Sequence, residues 1–460
     1  MALMPVNDSV FLLAESREHP MHFGLLQLYR PPEDAGPDFI RDLYRQLLGW
    51  EDVRGLFRRK PRGPVSSLGQ WAWTTDDDLD LEYHIRLSAL PRPGRVRELL
   101  ELVGRLHGAL LDRHRPLWEF HLIEGLGDGR FATYTKVHHA LMDGVSAFRL
   151  IESSLSEDPA KSDMPPQWVR RRRPRPQAPP ARAGRSAVGA AIAPLRSVWG
   201  ALGSVAGGAP GLVRVAAEVL RNESELPSFQ APKSMLNVPI TGARRYAAEN
   251  WELSRLKAVG VRAGATLNDV TLAMCSGALR RYLCEQDALP DASLVAGVPV
   301  SIRTESGSEG NAVGLLSATL ATDEPDPAKR LATIVRSTQR GKQAYRGLSP
   351  AQITAVSALG FVPIGLATLL GITTLVRPPF NVLISNVPGP KQPLYWNGAR
   401  LDGTYPVSIP YDGQALNITV CSYAGSLAVG LTGCRRTVPH LQRLLTHLET
   451  SLAELEVATA

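Results

Sequence analysis

His138-His139-Ala140-Leu141-Met142-Asp143-Gly144 gathers two imidazoles, a carboxylate and a glycine into seven residues. Imidazole is the one side chain whose ordinary pKa lets it take and return a proton near neutral pH. The run 130–137 before the motif alternates: Phe131, Thr133, Thr135 and Val137 share one face, Ala132, Tyr134 and Lys136 the other. The histidines therefore stand at a strand end, on a loop suited to presenting one ring. Neighbours on a strand point to opposite faces, so His138 and His139 cannot easily share a metal ion. His139 and Asp143 would supply only two ligands, and neither a third ligand nor an HExxH pattern accompanies them. No GxSxG elbow is present and no cysteine has an obvious activating neighbour, which argues against an acyl-enzyme. Two readings remain: a purely structural one, a packed strand-end histidine followed by an Asp-Gly turn, and general-base catalysis, in which a histidine deprotonates an acceptor hydroxyl, the oxygen attacks an activated acyl carbonyl, and the ring returns the proton to the departing thiolate.

Residues 1–160 read as one mixed α/β unit that must position this loop. Helical spacing appears over 38–48 and 96–114, and strands are expected at 22–29, 84–87, 119–123 and 130–137, with a helix after Gly144. A second unit spans 236–460. It carries a helix over 268–285, with Asn268 or Asp269 near its start at a normal cap position. Strands follow at 294–300 and 313–322, then a helix at 326–342 and a strand at 380–386. A hairpin is expected over 416–423 and 426–432, and an amphipathic helix over 438–455.

Between the units, 161–235 reads as an Arg/Pro-rich, then Gly/Ala-rich linker unsuited to a packed core. It holds nine arginines and no Asp, Glu or Lys between Met164 and Ala217, so of the net charge of +7 the rest of the chain accounts for only −2. Such a segment suits anionic lipid headgroups better than nucleic acid, because no aromatic residues interleave the arginines of 170–196 to stack on bases. A length of 460 residues fits two domains. Four cysteines without a CxxC pair point to a reducing, cytosolic setting, and the N-terminus lacks the basic region of a secretory signal. The thirty residues 347–376 carry no charge, but glycines and Pro363 interrupt them; a buried helix pair or a lipid-facing hairpin is expected there rather than a membrane span.

Taken together, the chain resembles the bacterial wax ester synthase/acyl-CoA:diacylglycerol acyltransferase family. The resemblance is carried by DSVFLLAESREHPMHFG (8–24), RPLWEFHLIEGL (115–126), KVHHALMDG (136–144), LNDV (267–270), PVSIR (299–303), GNAVG (310–314), FNVLISNVPGPKQPLYWNGARL (380–401) and ALNITVCSYAGSLAVGLTG (415–433). HHxxxDG alone is similar to the wider coenzyme-A-dependent acyltransferase superfamily, which includes condensation domains and chloramphenicol-acetyltransferase-like enzymes.

The resemblance implies an α/β fold with mixed sheets, in two chloramphenicol-acetyltransferase-like or condensation-domain-like domains with a substrate tunnel where they meet. It implies transfer of a long acyl chain from acyl-CoA to diacylglycerol, a fatty alcohol or both, without cofactor or metal, by a protein resting peripherally on the cytoplasmic face of a membrane or on a lipid inclusion. His139 would be the base and His138 would support it. Asp143, followed by Gly144, would anchor the loop through an arginine, for which Arg303 is the candidate. Asn268, Asp269, Ser385 and Asn386 would be supporting residues. Three rivals stay open: a lysophosphatidate-type acyltransferase, for which His138 and Asp143 have the His-x4-Asp spacing; a condensation-type enzyme using carrier-protein thioesters; and a non-enzymatic lipid-surface scaffold in which the motif is purely structural.

Overall fold

In the computed structural model, which describes residues 2–63, 70–170, 231–302, 312–345, 353 and 377–460, the motif strand lies inside a six-stranded sheet. The chain forms two units. The first comprises Met1–Leu13, Met21–Gly189 and Pro390–Val407; the second comprises Ala14–Pro20, Ala190–Gly389 and Ser408–Ala460.

The first unit contains β1 (Ala2–Leu3), α1 (Val6–Ala14), β2 (His22–Arg30), α2 (Phe39–Leu48), β3 (Arg59–Arg62), β4 (Ala72–Thr75), α3 (Leu81–His84), β5 (Ile85–Ala89), α4 (Val96–Gly108), β6 (Trp118–Glu124), β7 (Phe131–His138) and α5 (Gly144–Glu152). Its main sheet runs β12-β13-β2-β7-β6-β5, where β12 is Tyr395–Trp396 and β13 is Ala399–Val407. All pairings in it are antiparallel except β5 with β6. The 236–460 boundary assigned β12 and β13 to the second unit. They belong to the first because β13 pairs with β2 from Arg400–Arg30 to Val407–Gly24, a long-range pairing that leaves no local trace in the sequence.

Every residue of β7 is buried. One face carries Tyr134, Lys136 and His138. Opposite them stand Leu26, Gly24 and His22 of β2, and from β6 Glu119 and His121. Gly24 is required there: a Cβ would come 2.5 Å from the Tyr134 ring. The other face is aromatic, with Phe131 stacked on Tyr29 at 5.3 Å and Trp118 on Trp168 at 5.3 Å. Trp168 lies in the segment read as linker. It is fully buried, with Met164 and Val169 beside it in sequence and also buried, because these apolar side chains outweigh the polarity around them. Residues 171–230 lie outside the described residues, as does 354–376 of the uncharged stretch.

The second unit contains β8 (Arg244–Glu252), α6 (Leu253–Ala263), α7 (Leu267–Glu285), β9 (Val295–Ile302), β10 (Ala312–Thr319), α8 (Pro327–Ala344), β11 (Val382–Pro388), β14 (Leu416–Tyr423), β15 (Ser426–Cys434) and α9 (Arg443–Ala458). Its mixed sheet runs β10-β9-β11-β14-β15-β8, with β11 parallel to both neighbours. Helix α7 is buried continuously from Asp269 to Leu279, the mark of a central helix. Helix α9 starts at Arg443 rather than 438, because Pro439 and a left-handed His440 (φ 53°) break the approach to it. Helix α4 ends at Gly108 rather than 114, where Lys136 donates to the carbonyls of Leu106 and Ala109.

Candidate active site

The motif follows directly from the end of β7. The His138 amide donates to the Leu117 carbonyl at 3.0 Å, and the His139 amide to that of Met21 at 2.9 Å, so β6 and the chain entering β2 hold consecutive peptides. His138 is fully buried on the α4 side, and its Nδ1 accepts from the Ala140 amide at 3.0 Å, closing the turn. The His138 lone pair that faces the loop is thus spent on backbone. Asp143 caps α5: Oδ1 accepts from the Ser146 amide at 2.9 Å and Oδ2 from its hydroxyl at 2.7 Å. Gly144 is the first residue of that helix. Arg303, the arginine expected beside Asp143, lies outside the described residues.

His139 is partly buried, between aromatic rings. Phe11 of α1 stacks on its imidazole at 5.0 Å and 17°, and Phe23 of β2 meets it edge-on at 4.8 Å and 64°. Its Nδ1 is buried and has no hydrogen-bond partner among the described residues. Burial, reinforced by neighbouring His138 and opposed by Asp143, pushes the imidazole down to about 4. The ring is therefore neutral, with a free lone pair, across the physiological range.

Behind the motif lies a buried polar layer that sequence reasoning missed. The Lys136 ammonium is inaccessible to solvent and donates to the carbonyls of Leu106 (2.9 Å) and Ala109 (2.6 Å), with Glu119 at 3.6 Å. Burial would raise the Glu119 carboxyl, but a hydrogen bond from His121 and the charges of Lys136 and Arg86 bring it down to about 2. His22 Nε2 donates to the His107 carbonyl at 2.7 Å, because a carbonyl oxygen can only accept. His107 in turn meets the Tyr134 hydroxyl at 2.8 Å. Burial pushes His22, His84 and His121 below the usual histidine range.

These shifts set an acid sensitivity. The unfolded chain binds protons at these sites below about pH 6.5 while the folded one does not. Stability is therefore full above pH 6.5 and falls as pH drops below it, with each histidine contributing a slope of up to about 1.4 kcal/mol per pH unit. Urea midpoints measured from pH 7.5 to 4.5 at constant m-value should fall steadily; a flat series would contradict the burial of these rings.

The second unit collects the other candidates. Thr266, not Asn268 or Asp269, is the N-cap of α7, because Asp269 closes a capping box with it. Asp269 Oδ2 accepts from the Thr266 amide (2.9 Å) and hydroxyl (2.6 Å), and Oδ1 from the Thr338 hydroxyl of α8 (2.6 Å). Its buried carboxylate is thus committed to joining two helices. Asn386 Nδ2 lies 3.5 Å from Asn268 Oδ1, and Ser385 is half-buried on β11 opposite Thr419 of β14. The Pro116-Leu117-Trp118 element of the first unit serves packing: Leu117 and Trp118 are buried, and Trp118 Nε1 donates to the Phe57 carbonyl at 2.8 Å.

Two units, each built on a mixed six-stranded sheet, and a histidine loop closing the central strand of the first define a fold of the HHxxxDG acyltransferase class. Comparison with known proteins narrows the class. The family model described as wax ester synthase/diacylglycerol acyltransferase catalytic domain matches residues 3–271, and that described as WS/DGAT C-terminal domain matches 309–456. A Mycobacterium bovis protein bearing the name diacylglycerol O-acyltransferase is 51% identical over 461 residues, covering 100% of this chain and 99% of its own. A Mycobacterium tuberculosis protein bearing that name is 53% identical over 460 residues, covering 98% of each. The solved wax ester synthase/diacylglycerol acyltransferase from Marinobacter aquaeolei VT8 superposes with a TM-score of 0.81 at 43% identity, with full coverage of both chains. The first condensation domain of the CDA synthetase shares the fold, with a TM-score of 0.58 at 16% identity over 100% of this chain and 96% of that one. The chain belongs to the wax ester synthase/diacylglycerol acyltransferase family.

Proposed function

We propose that the protein moves a long acyl chain from coenzyme A to the free hydroxyl of diacylglycerol, and less readily to a fatty alcohol, with His139 as general base. The observation that carries the assignment of the base is the environment of that ring: neutral, partly exposed, and clamped between Phe11 and Phe23, whereas His138 is buried with its Nδ1 engaged. This division also weighs against the His-x4-Asp alternative, which needs His138 free. With its Nδ1 buried, His139 has Nε2 left to meet substrate. Nε2 takes the acceptor's proton as the oxygen adds to the thioester carbonyl. The tetrahedral intermediate collapses, the C–S bond breaks, and the coenzyme A thiolate leaves with the proton that Nε2 returns. One new ester and one free thiol result, and no cofactor enters the scheme.

The relatives' names favour diacylglycerol as acceptor. No helix among the described residues is long and apolar enough to cross a membrane. We place the protein peripherally at the cytoplasmic lipid surface where such an acceptor resides. The purified protein should be given palmitoyl-CoA with hexadecanol and dioleoylglycerol in competition. Triacylglycerol should form in excess over hexadecyl palmitate. Formation of neither ester would reject the reading.

A further inference from the structure

A histidine base commonly owes its orientation to a hydrogen bond from its second nitrogen to a carboxylate or carbonyl. His139 has none: its Nδ1 is buried without a partner among the described residues, and Asp143 directs both carboxylate oxygens to Ser146. Backbone contacts fix the peptide of His139 but leave rotation of its ring open. What limits that rotation is aromatic. Phe11 covers one face of the ring nearly parallel, and Phe23 blocks it edge-on. Both are themselves held. Phe23 sits opposite Val137 in the β2–β7 ladder, on the face His139 shares. The α1 end that carries Phe11 is tied down where Arg113 donates to the Leu12 carbonyl at 2.8 Å. Between the two phenylalanines the chain closes on itself: the Ser16 amide donates to the His19 carbonyl at 3.2 Å, and the His19 amide to the Ser16 carbonyl at 3.1 Å.

From this geometry we infer that Phe11 and Phe23 are positioning residues, an aromatic clamp that aims the imidazole of His139, for whose Nδ1 the described residues supply no hydrogen-bond partner. The clamp gives a role to Phe11 and Phe23 within the opening segment 8–24. It also supplies part of the burial that keeps the ring neutral. The charged groups that act on the ring are His138 and Asp143 on its own loop; on the elements of the clamp, His22 precedes Phe23 on β2 and points to the opposite face, and Asp8 lies one turn before Phe11 on α1, with Arg59 acting on it. None of them changes in the variants below.

The inference rests on His139 as base, so the test reads the ring directly as well as turnover. Full-length protein carrying ring-labelled histidine is titrated by NMR, with the His139 signal assigned from H139Q. In Phe11→Leu the titration midpoint should rise by about one pH unit or more toward the ordinary value, and kcat should fall roughly 10- to 100-fold with KM for acyl-CoA unchanged. Phe11→Tyr, which keeps the ring, should restore both. Should Phe11→Leu fail to fold, Phe23→Leu is read in the same way. An unmoved midpoint with unchanged kcat would overturn the inference. Retained turnover in H139Q would instead overturn His139 as the base, and the midpoints would still decide whether the clamp exists.

Discussion

Replacement of His139 by alanine is expected to lower kcat by about 10²- to 10⁴-fold, the usual worth of a positioned general base, while far-ultraviolet circular dichroism and the urea midpoint stay near wild type. The loss should fall on kcat, because the proton moves only as the acceptor oxygen attacks; KM for acyl-CoA should hold. The stability expectation follows from position. The ring is only partly buried and makes no side-chain hydrogen bond through Nδ1, so its removal strips aromatic contact from Phe11 and Phe23 without leaving a buried donor stranded. His138→Ala should behave differently. It removes the acceptor for the Ala140 amide inside a fully buried site, so both stability and turnover should fall. Kinetics of the purified variants with palmitoyl-CoA, beside their urea curves, check the contrast. A fully active His139→Ala would end the assignment.

The largest effect on stability is expected from Lys136→Met. The side chain is of similar length and stays buried, but the charge goes. Among the described residues Glu119 then keeps His121 and the half-exposed Arg86 as charged partners, and the carbonyls of Leu106 and Ala109 lose their hydrogen bonds from the ammonium. Removing one partner of a buried pair costs about 3 to 5 kcal/mol, which for a unit of this size is a fall in Tm of roughly 10 °C. The double variant Lys136→Met/Glu119→Gln should recover part of the loss, because the stranded charge is gone as well. Scanning calorimetry of both variants measures it; a single variant as stable as wild type would mean that the ammonium is not buried as described.

What could be read from the amino acids alone divides along a physical line. The strand 130–137 announced itself by alternation, and β7 covers Phe131–His138; the hairpin of β14 and β15 was marked by turn residues between two apolar runs. Periodicity does not say, however, whether one face of a strand or both will be covered. The burial of Lys136, and with it the charged layer behind the motif, was therefore invisible. Strand β8 and helix α6 were missed because RRYAAENWE and LSRLKAVGVRA carry charges through their patterns. In the site, the histidines and the glycine were legible as types at a spacing. Phe11 was not, because its meeting with His139 is made by folding and by no local rule. Asp269 shows the reverse: its position near a helix start was clear, but its link to Thr338 depends on where α8 packs.

The pairing of β13 with β2 bears on how the molecule is made. A ribosome delivers β7 and the histidine loop long before it reaches Ala399–Val407. At about 5 to 20 residues per second, the sheet around the base waits roughly 15 to 50 seconds for its remaining strands. During that interval β2 is an edge, with the backbone groups of Gly24–Arg30 that later meet β13 unpaired and open to any passing strand. A chain cut between its two family domains would keep that edge permanently. Expression yield should therefore depend on how fast the stretch of message between β7 and β13 is translated.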